Sequence, residues 1–301
     1  MSRPAAPPER SFFDAPREAG GTSTMVLQLD RILFELGGLD EALAHTLETR
    51  YTPYTRPSAE GQRAMRVRLG LEPREYFFNP PEVPELNPIL IACEGNLVRY
   101  LGYRVAGWFD LDAMEGQVLL AQGTYEPADR ALENYIRVAV AWMAVTRGGM
   151  LVHAASAVRN DKGYLFFGES GAGKSTLSEC NRRGRVISDD ISVLLPGENG
   201  GLDVIGSPFR GTYEGGEPVV GRFPLAAGFR LIQAPEAAVH DVPRARALGE
   251  LVGNLPFVAE RFSDRPDLFE QVEQVLRPVP LAHLHFRKDD SYWDAIDQAG
   301  F

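Results

Sequence analysis

GYLFFGESGAGKSTLSEC, residues 163–180, sets an apolar run against a glycine-rich turn and then a polar, helix-forming segment. Residues 168–175, GESGAGKS, satisfy G-x-x-x-x-G-K-[ST] at every fixed position, a match that arises by chance in about one chain of this length in 100. The context that gives the pattern meaning is present as well: YLFF reads as a strand and STLSEC as the helix after the loop. Gly168, Gly171 and Gly173 admit backbone angles that side chains forbid, so the amide N–H groups running through Glu169, Ser170 and Ala172 can turn inward around an anion. The start of a helix adds partial positive charge at the same place. Lys174 supplies a full charge to the outer phosphates, the Ser175 hydroxyl suits Mg²⁺, and Thr176 completes the ligand-facing run. The expected ligands are ATP and Mg²⁺. Lys162, Lys174 and Lys288 are the only lysines in a chain otherwise supplied with arginine.

A metal-bound nucleotide needs a carboxylate opposite the loop. The brief strand VIS ends in Asp189 and Asp190, which in a parallel sheet would emerge at the carboxyl edge where ligands collect. Two adjacent acids are costly together unless a cation or a proton separates their roles. We assign Asp190 to the metal and Asp189 to the base for an incoming hydroxyl; the spacing also fits the reverse. A cation over the developing charge of a transferred phosphate would be useful, and Arg210 in SPFRG is the first candidate, with Arg230 and Arg287 behind it. Glu214 and Glu217 read as a solvated acidic loop. His283 and His285 alternate on one strand face without a third metal ligand nearby. His153, on spacing alone, is an ordinary strand histidine.

Working outward, MLVHAASAV, the turn-like RNDKG and YLFFG read as an antiparallel pair. Upstream, EPADRALENYIRVAVAWMAVTRGG (126–149) carries a wide apolar face and ends in two glycines, the pattern of a buried helix that opens a second domain. Gly184 is placed to stop the helix after the loop. ISVLLP, GLDVIGSPF, helices at 245–253 and 267–276, and the strand PLAHLHF continue a mixed pattern. Before residue 126, a strand begins MVLQLDRILFEL, 39–51 reads as a helix, and short strands at 65–71, 88–93 and 97–105 lie between the proline breaks RPSAEG and NPPEVPELNP. The expected organisation is therefore a flexible tail over 1–24, a small α+β domain over 25–125, and a phosphate-loop domain over 126–301, in an α/β fold with a mixed sheet.

Composition narrows the partners. The 301 residues carry 41 acidic and 31 basic side chains, a formal net charge of −10. Such a surface repels phosphodiester backbones and anionic headgroups, so extended nucleic acid and membranes are not expected partners. Cys93 and Cys180 form no metal or redox spacing and point to a reduced, cytoplasmic setting. No run reaches a membrane span, and the first 24 residues lack the apolar stretch of a secretory signal.

Taken together, LVHAASAV, GESGAGKST and VISDD resemble the catalytic domain of the HPr kinase/phosphorylase family, which is similar in fold to the ATP-dependent phosphoenolpyruvate carboxykinases. The resemblance covers about residues 130–195 and is looser beyond. It implies Mg²⁺-dependent phosphoryl transfer to a serine hydroxyl of a peptide or protein, with Asp189 as base, Asp190 on the metal and His153 contacting phosphate near the loop. It also gives a reason to look for a homo-oligomer. The chain differs from that family in two places: GSPFRGTYEGG stands where the glycine-rich signature would follow the aspartates, and the first 125 residues do not match the usual amino-terminal domain. The expected activity is a kinase acting on an alcohol. A nucleotide-dependent switch with slow ATP hydrolysis is the alternative, and carboxykinase-like decarboxylation lacks the cluster of basic groups it would need.

Overall fold

Residues 6–81, 88–263 and 265–301 are described by a computed structural model. The break NPPEVPELNP falls largely on 82–87, outside the described residues, as do the first five positions of the expected tail. The chain is mixed α/β and divides into two compact units, Met1–Val140 and Ala141–Phe301.

In the first unit, β1 (Ser23–Leu29) and β2 (Ile32–Leu39) form a hairpin, and α1 (Glu41–Tyr51) starts at Asp40, whose carboxylate accepts from the Leu43 amide at 2.8 Å. That cap is why the expected helix at 39–51 begins two residues late: Leu39 is the last residue of the strand. β3 (Thr55–Arg56), β4 (Met65–Glu72), β5 (Leu90–Glu94), β6 (Leu97–Leu101), β7 (Val105–Asp110) and β8 (Glu115–Ala121) complete an eight-stranded sheet of order β3-β1-β2-β4-β8-β7-β6-β5. The sheet is mixed, because β4 pairs in parallel with both β2 and β8. The single strand expected over 97–105 breaks at Gly102, and β7 and β8 form a further hairpin.

α2 (Ala128–Val145) crosses the line between the units. Its Tyr135 lies on the first sheet, where the hydroxyl donates to the Trp108 carbonyl at 2.7 Å. A Cβ on Gly107 would meet the Tyr135 ring at 2.6 Å, so the strand glycine allows the helix its approach. The segment before residue 25 is not a loose tail over its described part. Phe13 is buried, the Arg10 guanidinium lies 3.6 Å from the Trp108 ring centroid, and Arg17 pairs with Glu72. Two phenylalanines in RSFF give that segment an apolar anchor that its proline and charge content conceals.

The second unit is built around β9 (Met150–Arg159). It pairs antiparallel with β10 (Lys162–Phe167) through a turn in which Asn160 and Asp161 both have positive φ, as the RNDKG reading requires. On its other edge β9 takes first β11 (Arg185–Ser188) and then β12 (Ile191–Pro196), also antiparallel. Between β10 and β11 runs α3 (Lys174–Cys180), which ends before the expected stop at Gly184. β13 (Leu202–Ile205) joins β12 to β14 (Arg222–Gln233), and β14 returns in parallel beside β10. The circuit β9-β10-β14-β13-β12 is thus a closed five-stranded barrel.

β15 (Ala238–His240), α4 (Arg244–Val252), α5 (Pro266–Leu276), β16 (Leu281–Phe286) and α6 (Tyr292–Gln298) follow, and β16 extends the sheet in parallel beyond β14. Leu177 of α3 and Trp293 of α6 pack with Phe166 and Phe229 on one face. Leu251 of α4 and Leu276 of α5 pack with Leu165 and Phe167 on the other. Strand alternation therefore sends successive side chains of β9 and β10 into two separate cores.

Candidate functional site

The register around β9 places the loop and the aspartates at one level. Phe167, the last residue of β10, pairs with Ala154, and Ile191, the first of β12, pairs with His153. Gly168 leaves the sheet beside the point where β11 gives way to Asp189 and Asp190. The expectation of a parallel sheet at this point is corrected: β10 and β11 run the same way because each is antiparallel to the shared β9 between them. β11 and β12 flank successive stretches of β9, and the acid pair is the interruption between them.

The loop is held by its own lysine. Lys174 is buried, and its Nζ donates to the carbonyls of Gly168 at 2.7 Å and Glu169 at 3.2 Å. Burial draws its pKa below the ordinary lysine value, and the Asp190 carboxylate works against that shift. Gly171 and Gly173 have φ of +81° and +109°, the left-handed region that the turn demands. Gln233, at the end of β14, donates from Nε2 to the Gly171 carbonyl at 2.9 Å and ties the loop to the neighbouring strand.

The two aspartates have different surroundings. Asp189 is only 2% exposed. Its Oδ1 accepts from the Gly211 amide at 2.7 Å, and its Oδ2 accepts from the amides of Thr212 and Tyr213 and from the Ser175 hydroxyl, each at 3.1 Å. Asp190 keeps 24% of its side chain exposed, and its Oδ1 lies 3.1 Å from His153 Nδ1. The backbone N–H of His153 donates to the Asn254 carbonyl at 2.8 Å, which fixes this end of β9. Lys174, Ser175, Asp189, Asp190 and His153 therefore form one cluster.

Arg210 is engaged elsewhere. Its guanidinium donates to the carbonyls of Val186 and Ile187 on the outer edge of β11 and to those of Gly215, Gly216 and Glu217, at 3.2–3.4 Å. It pins the 211–217 segment against the strand edge, and that segment supplies the amides around Asp189. Glu214 and Glu217 are exposed on it. Arg230, within β14, pairs with Phe167 at the end of β10; it is bonded to Glu250 at 2.8 Å and lies 3.9 Å from Glu169 of the loop. Glu250 also receives Arg246 at 2.9 Å and His283 at 2.7 Å. Burial pushes the Glu250 carboxyl up, but His283, Arg246 and Arg230 together outweigh burial and hold it below the usual carboxylate range. Arg287 pairs with Asp289 past the end of β16, and the His285 ring meets that of His240 at a tilt of 53°, with centroids 4.3 Å apart.

Compared with known proteins, the chain matches no protein-family model and no curated protein. The cluster therefore has to be read from its own chemistry. Among the described residues no three His, Cys, Asp or Glu side chains group as a self-sufficient metal site, and no helix is long and apolar enough to cross a membrane. The groups not foreseen from sequence are Gln233, the Gly211–Tyr213 amides and Glu250. None of these carries a sequence signal; the glycine at 211 gains its meaning only in the fold, where a Cβ would come within 3.0 Å of Asp190 Cβ and 3.1 Å of Asp189 Oδ2.

Proposed function

We propose that the protein is an HPr-kinase-like phosphotransferase that moves the γ-phosphate of ATP to a hydroxyl, most plainly a serine of a peptide or protein. The observation that carries this reading is the convergence of a glycine loop, its buried Lys174, the Ser175–Asp189 pair and the His153–Asp190 pair at one level of β9. Phosphoryl transfer asks little covalent chemistry of a protein; it asks for positioned donors, a countercharge and a base.

The geometry favours reversing the expected roles of the two aspartates. Asp189 is enclosed by amides and touches Ser175, so Ser175 Oγ and Asp189 together are the pair that would hold Mg²⁺. An all-oxygen donor set of this kind suits a hard cation, which supplies charge neutralisation to the phosphates when bound. Asp190 is the more exposed acid, and with His153 beside it can accept the proton of an incoming hydroxyl. Arg230, adjacent to the loop and tethered through Glu250, is better placed than Arg210 to cover phosphate charge.

The test is incubation with γ-labelled ATP, Mg²⁺ and serine peptides, comparing wild type with Asp190→Asn. Labelled peptide lost in the variant, with nucleotide binding retained, supports the kinase. Hydrolysis that no peptide diverts would instead favour the nucleotide-dependent switch.

A further inference from the structure

We infer that a cavity of about 390 Å³ on the β14–β16 side of the loop receives the nucleoside end of the triphosphate; this rests on the reading of the loop as a triphosphate cradle. The volume lies in the range of small-molecule sites, about 300–1,000 Å³. Its near wall is Gly173 and Thr176, and its far wall is made by the last residues of β14 and β16 and those that follow them.

Topology sets the direction of the ligand. Asp190 and His153 lie on the β9 side of β10, and they mark where the terminal phosphate reacts. β14 and β16 lie on the opposite side of β10. A ligand whose γ end faces Asp190 and whose inner phosphates follow the loop amides therefore leaves the loop past Gly173 and Thr176, into this cavity.

The walls suit a planar heteroaromatic base. Phe286 forms an apolar floor hard against the loop: a Cβ on Gly173 would meet its ring at 2.4 Å. Arg287 and Lys288 at the rim are exposed cations, a flat guanidinium to stack on the base and an ammonium for its ring face or edge. Gln233 lines the same cavity and bonds the Gly171 carbonyl at 2.9 Å, so base seating and loop conformation share one side chain.

The three lysines make a footprint. With an amine-acylating reagent, Mg·ATP should slow modification of Lys174 and Lys288 by about tenfold, the scale of one seated base. Inorganic tripolyphosphate should protect Lys174 alone, and Lys162, at the far end of β10, should react equally throughout. Ala234→Trp, which fills the cavity, should weaken Mg·ATP by a similar factor and leave tripolyphosphate affinity unchanged. If ATP protects Lys174 while Lys288 reacts at its free rate, or if Ala234→Trp binds ATP like wild type, the cavity assignment is overturned and the loop reading stands. If neither ligand protects Lys174, both fall.

Discussion

His153 Nδ1 lies 3.1 Å from Asp190 Oδ1, while Asp189, one position earlier, turns the other way and bonds Ser175. Adjacent carboxylates thus divide between two partners, one on β9 and one at the start of α3. That division separates the consequences of their loss.

Asp190→Asn should lower the rate of peptide phosphorylation by about 10²–10⁴-fold, the contribution of a positioned base. Asp190 is partly exposed, so the variant should unfold within about 1 kcal/mol of wild type. Single-turnover kinetics beside a thermal melt measures both. A large fall in melting temperature would show that the residue is structural.

Asp189→Asn should behave in the opposite order. The amide would turn an N–H₂ toward the donors of Gly211, Thr212, Tyr213 and Ser175. A buried donor without an acceptor costs about 1–3 kcal/mol, and for a unit of this size each kcal/mol lowers the melting temperature by roughly 2–4 °C. The melt should shift even without nucleotide.

Gly171→Ala and Gly173→Ala separate strain from collision. Gly171 has positive φ and open space around it, so alanine there should cost about 1–2 kcal/mol. Gly173 adds the contact with Phe286, a buried ring that cannot step aside, and should be the more damaging. Equal losses in a denaturant titration would contradict the placement of that ring.

Arg210→Ala should loosen 211–217, seen as faster amide exchange there. Arg210→Lys should not restore protection, because one ammonium cannot span carbonyls on both β11 and the segment. Lost activity with unchanged exchange would return Arg210 to a direct role.

Glu250→Gln should show a pH signature. The folded-state pKa of Glu250 lies below its ordinary 4.5, so its stabilising contribution is complete above 4.5 and disappears as pH falls through the folded value. Wild type should therefore be more stable than the variant at neutral pH, and the gap should narrow on acidification below 4.5. A gap that stays constant to low pH would show that the ion cluster does not stabilise the fold.

Local chemistry was the part of this molecule legible in sequence. The loop glycines, the Asn160–Asp161 turn and the termini of α4 and α5 each depend on a few neighbouring residues, and the structure has them within a position or so. Pairings between distant segments were not legible. RFPLAAGFRLIQ mixes proline, glycine and alanine and shows no clean alternation, because β14 meets β13, β10 and β16 along its length and changes surroundings as it goes. SPFRG suggests a phosphate cation at Arg210 because nothing in it reveals that the outer edge of β11 needs a donor. The acid pair stands out by its charge, and the burial that distinguishes its two members comes from a segment more than 20 residues away.

β9 carries the histidine, flanks the loop and spaces the acids, so the geometry of the cluster is written into a strand of the barrel wall. Sliding that strand by a single residue would exchange its inward and outward side chains and remove His153 from Asp190 in the same movement. Sequence drift along β9 is therefore confined to changes that keep its pairing frame, a constraint that the segments bordering the strand do not share.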